Sequence, residues 1–211
     1  MRPNKKPFII GLAGNSGSGK GEVSKILESL GCFIIDCDKI AHENMAKGGC
    51  AYDDIVNAFG KDILAENGEI DRKILGSIVF NDKEKLALLN QIAHGHIKKR
   101  LEEIISQNAD KEYIVIDAPL LREAGLMPLT DRAWLIDADK EVRLERVMRR
   151  DGITREKALE RFKNQMPSFY HHDLFCPIIM NNYDDTSQLE KEVKDAFEKM
   201  EQERQDRQNR I

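Results

Sequence analysis

Between Phe8 and Leu30 an apolar run, a glycine loop and a helical pattern follow one another without a break, and this succession constrains the 211-residue chain more than any other feature. Phe8–Ala13 is a compact apolar stretch bounded by Pro7 and Gly14, as expected of a short parallel strand covered on both faces. Gly14-Asn15-Ser16-Gly17-Ser18-Gly19-Lys20 then satisfies G-x-x-x-x-G-K, and the spacing predicts a helix from about Lys20 to Leu30. Glycines let the backbone take positive φ and turn its N–H groups inward, so a concave nest at a helix N-terminus meets a phosphate anion. Lys20 adds a full positive charge for the outer phosphates. The competing reading, a flexible glycine turn, leaves the flanking strand and helix unexplained.

One position departs from the pattern. The residue after the lysine is ordinarily Ser or Thr, whose hydroxyl coordinates Mg²⁺, and here it is Gly21. A metal at this loop then needs an additional water or carboxylates from elsewhere. Ser24, a turn further along the helix, is expected not to reach. Phosphate binding should survive the change, so its effect falls on catalytic rate.

The remaining pattern completes an α/β fold. Cys32–Cys37, Glu112–Ala118, Arg132–Ala138 and Pro177–Met180 read as four more strands separated by helical segments, which implies right-handed crossovers and a five-stranded parallel sheet with helices on both faces. The expectation is one domain of the P-loop NTPase class, with a core at about 7–38, 110–152 and 175–200. A helical insertion at about 39–109 is too long for one crossover helix, and a charged excursion at about 153–174 reads as a mobile lid. Within the insertion, Leu86, Leu89, Ala93, Ile97, Leu101 and Ile104 recur at helical spacing and read as core packing. The last helix shows Leu189, Val193 and Phe197 on one face, and the polar stretch Glu201–Arg210 is expected to fray.

Asp36 and Asp38 fall at the carboxyl end of the second strand, where ligands sit in open α/β sheets. Asp38 can orient or deprotonate an attacking hydroxyl, or it can cap the helix beginning near Lys39. Asp117 ends the third strand beside the first, placed like the acid that binds Mg²⁺ through water in other P-loop enzymes, or it is a turn former before Pro119. His94 and His96 would diverge on a helix, and His171-His172 is similarly weak, so neither reads as a metal pair. A net charge of −4 gives no nucleic-acid footprint; the basic residues gather locally at Arg143, Arg146, Arg149 and Arg150, which suits a small polyphosphate or a solvated helix face. Cys32, Cys37, Cys50 and Cys176 lack metal-ligand spacing, and no apolar run is long enough to span a bilayer, so a cytoplasmic protein without membrane contact is expected. Nothing in the sequence sets the oligomeric state.

With these pieces in order, the chain resembles the dephospho-coenzyme A (dephospho-CoA) kinase family from about Ile9 to Asn182. The resemblance rests on GNSGSGKGEV, IIDCDKIAHE, FGKDIL, GEIDRKILGSIVF, DAPLLREAGL, LERVMRRDGITREKALERFKNQM and IIMNN. It implies transfer of the γ-phosphate of ATP to the ribose 3′-hydroxyl of dephospho-CoA, with Mg²⁺. By position it implies that Asp38 is the general base, with Lys20 and Arg146 also catalytic, and that Ser16–Gly21, with Gly14, bind ATP. Pro119, Leu120, Leu121 and His94 would lie on the acceptor side, and Arg146 and Arg150 fall where the family's lid-proximal arginines approach the nucleotide phosphates. The chain departs from the family at Gly21, at His94-Gly95 in place of His-Pro, at Lys98 in place of an arginine, at Asn15-Ser16 and over Phe169–Phe175. These departures keep open a kinase of another small nucleotide acceptor, or a nucleotide-binding protein with weak or lost catalysis.

Overall fold

The structure is a computed structural model that describes residues 6–80, 82–163, 173–183 and 185–209. Five strands, β1 (Phe8–Ala13), β2 (Phe33–Asp36), β3 (Tyr113–Asp117), β4 (Arg132–Asp137) and β5 (Ile178–Met180), form one sheet in the order β2-β3-β1-β4-β5. Every neighbouring pair is parallel. The register aligns Asp117 with Leu12 on one side and with Asp36 on the other, so three strand ends meet at one edge. The glycine loop leaves β1 at that edge and enters α1 (Lys20–Ser29).

Side chains alternate across the strands and build two cores. On one face Ile10, Leu12, Val115, Trp134 and Ile136 meet Val23 and Leu27 of α1 and Leu189, Val193 and Phe197 of α8 (Thr186–Gln208). On the other, Ile114, Ile116 and Leu135 meet Ile40 of α2 (Cys37–Met45) and Ile97 and Leu101 of α5 (Lys83–Gln107). Burial of each such aliphatic side chain contributes about 1.5–3 kcal/mol, and it fixes the strand ends that carry the acids.

Residues 39–109 fold as α2, α3 (Tyr52–Phe59), α4 (Arg72–Phe80) and α5. Ile55, Ile63, Leu75 and Val79 make a small core of their own, against which Leu86 and Leu89 of α5 pack. The predicted apolar stripe therefore serves two cores, its first half the insertion and its second half the sheet. Beyond β4, α6 (Lys140–Asp151) is followed by α7 (Arg155–Lys163), whose Ala158 is fully buried against Leu144 and Val147. The charged segment expected to be a loose cover thus has one docked face, and the guanidinium of Arg143 lies 5.0 Å from the Phe162 ring centroid. Gln165, His171-His172 and Phe169–Tyr170 lie outside the described residues.

Two expectations are corrected. Cys37 does not end β2 but opens α2, because the Asp36 carboxylate accepts from the Lys39 N–H at 3.0 Å and caps the helix there. The cap is therefore Asp36, and Asp38 stands in the first turn. The polar end of α8 does not fray at Glu201: the helix runs to Gln208, with Arg210 outside the described residues. The Tyr113 hydroxyl donates to Glu201 Oε1 at 2.9 Å, and Arg204 lies over the rings of Phe8 (5.1 Å) and Tyr113 (4.8 Å). A long cationic side chain covers apolar surface with its stem and stacks its guanidinium on the rings, so a polar sequence packs.

Candidate active site

The loop owes its shape to its glycines. Gly17 (φ 82°) and Gly19 (φ 92°) both lie in the left-handed region. Neither has room for a side chain: a Cβ on Gly17 would stand 2.4 Å from the Arg143 carbonyl oxygen, and one on Gly19 would stand 2.1 Å from Asn181 Nδ2. The loop is thus pressed between α6 and the end of β5. Asn181, 4% exposed, donates from Nδ2 to the Ser18 carbonyl at 2.8 Å. Arg146 donates to the carbonyls of Asn181 (2.9 Å) and Tyr183 (2.6 Å), with a longer 3.4 Å contact to that of Gly17.

Over the loop opens a cleft of about 530 Å³. Its floor is Gly14 to Gly17 and Gly19 to Gly21, and its walls include Asp38, Pro119, Arg146, Arg149 and Arg150. A second cleft of about 730 Å³ shares Gly19, Glu22, Arg146 and Arg149 with the first and continues to Tyr183 and Leu189. A glycine loop at a helix N-terminus, one lysine and several guanidiniums around one space are an arrangement that can hold an anion.

Behind the floor, Lys20 Nζ is ion-paired with Asp117 Oδ1, and the Ser24 hydroxyl donates to Asp117 Oδ2 at 2.5 Å. Ser24, which the spacing along the helix keeps from a metal at the loop, bonds the acid whose position the sequence likens to a Mg²⁺-binding carboxylate. Asp38 enters the cleft wall from α2. Burial pushes its carboxyl above the ordinary value; Lys20 opposes that shift, while Asp36 and Asp117 add to it.

The predicted residues separate under this geometry. Gly14, Ser16, Gly17, Gly19, Lys20, Gly21, Asp38, Pro119, Arg146 and Arg150 share the cleft. Ser18 does not line it: its side chain is fully buried within the loop. Asp117 stands behind the floor, joined to the cleft through Lys20. Leu120 is half exposed beside a narrow pocket at Gly14 and Asn15, whereas Leu121 is fully buried and packs where a Cβ on Gly11 would be 2.5 Å from its Cδ2. His94 lies on α5 and lines neither cleft; burial lowers its imidazole and the nearby Glu123 carboxylate opposes that. Arg146 is committed to carbonyls, and Arg150 forms an exposed two-pronged pair with Asp151 at 2.7 and 3.1 Å. Asn181, Glu22 and Arg149 were not singled out as site residues, although Asn181 stands in the quoted IIMNN and Arg149 in the arginine cluster.

Comparison with known proteins matches the family model for dephospho-CoA kinase over residues 8–187. The chain belongs to the dephospho-CoA kinase family. ATP-dependent phosphorylation of dephospho-CoA to CoA is the activity that membership carries. A dephospho-CoA kinase of Carboxydothermus hydrogenoformans is 45% identical over 163 residues, spanning 75% of this chain and 78% of its own. A crystal structure from Thermus thermophilus superposes with a TM-score of 0.79 at 30% identity, over 94% of this chain and 98% of its own. The dephospho-CoA kinase of Campylobacter jejuni does so with a TM-score of 0.57 at 28% identity, over 90% and 96%. Within a dephospho-CoA kinase family member, Gly21 is the departure nearest the chemistry, and a Cβ there would meet nothing within 4 Å.

Proposed function

We propose that this protein carries out its family's reaction as one kinase domain, moving the terminal phosphoryl group of ATP to the ribose 3′-hydroxyl of dephospho-CoA, with the roles of its residues as follows. The loop amides from Gly14 to Gly19 and the Lys20 ammonium hold the donor phosphates. Lys20 leaves Asp117 for the phosphates when they arrive, since both anions compete for one cation. Asp38, ionised, accepts the proton of the attacking hydroxyl, and its raised affinity for protons makes it a stronger base than an exposed aspartate. Arg149 and Arg150 add charge along the cleft wall, while Arg146 holds the loop in shape through its carbonyl bonds. The insertion, on the Asp38 side, receives the acceptor, and the segment from 153 to 163 that holds α7 is the described part of the cover over the donor.

The oxygen donors suit Mg²⁺, which takes one or two carboxylates together with substrate phosphates rather than a cage of its own. Asp117, buried beside the loop with both oxygens already engaged by donors, is the carboxylate to hold it. Bound there, Mg²⁺ would offset part of the negative charge on the transferring group. The setting in this reading is the cytoplasm; among the described residues no helix is long and apolar enough to cross a membrane.

The observation that carries this reading is that Lys20 and Asp38 open onto one cleft floored by the glycine loop. Purified protein with ATP, Mg²⁺ and dephospho-CoA should form CoA in an acceptor-dependent manner. Transfer to a nucleoside monophosphate in preference to dephospho-CoA, or nucleotide binding with no transfer, would overturn it.

A further inference from the structure

Ser24 sits in the interior of α1 and is 8% exposed. A serine in that position usually returns its hydroxyl to the carbonyl four residues back, and alanine forms helix better. Here the hydroxyl instead reaches across to β3 and donates to Asp117 Oδ2. Lys20, four residues earlier and so on the same face of α1, takes Oδ1. The two oxygens of one buried carboxylate are therefore held by two side chains of a single helix. Directly after the lysine, where P-loops of the ordinary pattern carry a hydroxyl, this chain has Gly21, which faces open space in the cleft.

We infer that Ser24 is a positioning residue for the phosphoryl-transfer site, fixing Asp117 in a loop that has no hydroxyl at position 21. The inference rests on the roles proposed above for Asp117 and Lys20. When nucleotide phosphates draw Lys20 away, Oδ1 is released toward the cleft, and Ser24 is the donor that keeps the carboxylate from turning. A carboxylate fixed at one oxygen offers the other in a constant direction, whereas an unfixed one must be ordered each time. Partners that orient a metal-holding carboxylate are worth about 10–100-fold in metal affinity or activity.

The test compares Ser24→Thr with Ser24→Val, which have the same shape and differ in the hydroxyl, so that any packing disturbance is common to both. Calorimetric affinity for a non-hydrolysable ATP analogue is measured with Mg²⁺ and in chelator, alongside thermal unfolding of each variant. The wild type and Ser24→Thr should bind the analogue more tightly with Mg²⁺ by the same factor. In Ser24→Val that gain should shrink by about 10–100-fold, with chelator affinity within about twofold of Ser24→Thr. Equal gains in the two variants, or equal losses with and without Mg²⁺, would overturn the inference and leave the kinase reading standing. A wild type with no gain from Mg²⁺ would remove the proposed role of Asp117 and this inference with it, while acceptor phosphorylation is measured separately.

Discussion

Gly19 and Asn181 make a quantitative test of how the loop is held. Gly19→Ala forces a side chain into the left-handed region, which costs about 1–2 kcal/mol. It also drives the new methyl to 2.1 Å from Asn181 Nδ2, an overlap of the kind that costs about 1–3 kcal/mol where neighbours cannot shift. Asn181 cannot shift freely, because Arg146 holds its main-chain carbonyl and its side-chain amide donates to the buried Ser18 carbonyl. Asn181→Ala removes the donor and leaves that carbonyl without it, a loss of about 1–3 kcal/mol. The same change clears the space that the alanine at position 19 needs. The double variant should therefore be more stable than additivity predicts by about 1–3 kcal/mol, the overlap having vanished while the dihedral cost remains. Urea unfolding of wild type, both single variants and the double variant measures this, with midpoints compared at constant slope. Additivity within about 0.5 kcal/mol would refute the claim that the asparagine forbids a side chain at position 19.

Asp38→Asn should lower CoA formation by about 10²–10⁴-fold, the share expected of a general base. Because burial raises the Asp38 carboxyl, the folded state holds the proton longer than the unfolded state, so the stability linked to it is full below the ordinary value near ~4 and is lost as pH rises through the folded value. The asparagine variant should gain in melting temperature relative to wild type between pH 4 and pH 8. A relative loss over that range would show that Asp38 is held by compensating charge instead. The acid limb of wild-type kcat/KM should likewise lie above the ordinary carboxylate range. Arg146→Lys keeps the charge but not the fork that bonds two carbonyls, and should cost about 1–3 kcal/mol and weaken ATP binding. An unchanged urea midpoint would show that those carbonyl bonds do not brace the loop.

The glycine loop, the five strands and the acids at the strand ends were legible because each depends on local pattern: an apolar run, a turn that needs glycine, an acid following a strand. Local pattern says less where long-range partners decide. Glu201–Arg210 looks like a frayed tail until Tyr113 and Phe8 are seen beneath Arg204. Spacing along α1 gives the distance of Ser24 from Lys20 and not its partner across on β3, Asp117. Asn181 follows a strand more than 150 residues from the loop it braces, as its 163-residue separation from Ser18 makes plain. His94 is implied on the acceptor side by resemblance alone, and where it stands depends on how α5 lies across the sheet.

That long helix has a mechanical meaning. α5 is anchored at Ile97 and Leu101 to the sheet, and its other end carries Leu86 and Leu89 into the core of the insertion. From Leu101 to Lys83 the axis runs about 27 Å, so a tilt of about 5° at the anchored end displaces the far end by about 2 Å. The helix has the geometry of a lever whose fulcrum is the sheet, so a small tilt beneath Leu101 would be enlarged at the core of the insertion, on the side proposed above to receive the acceptor.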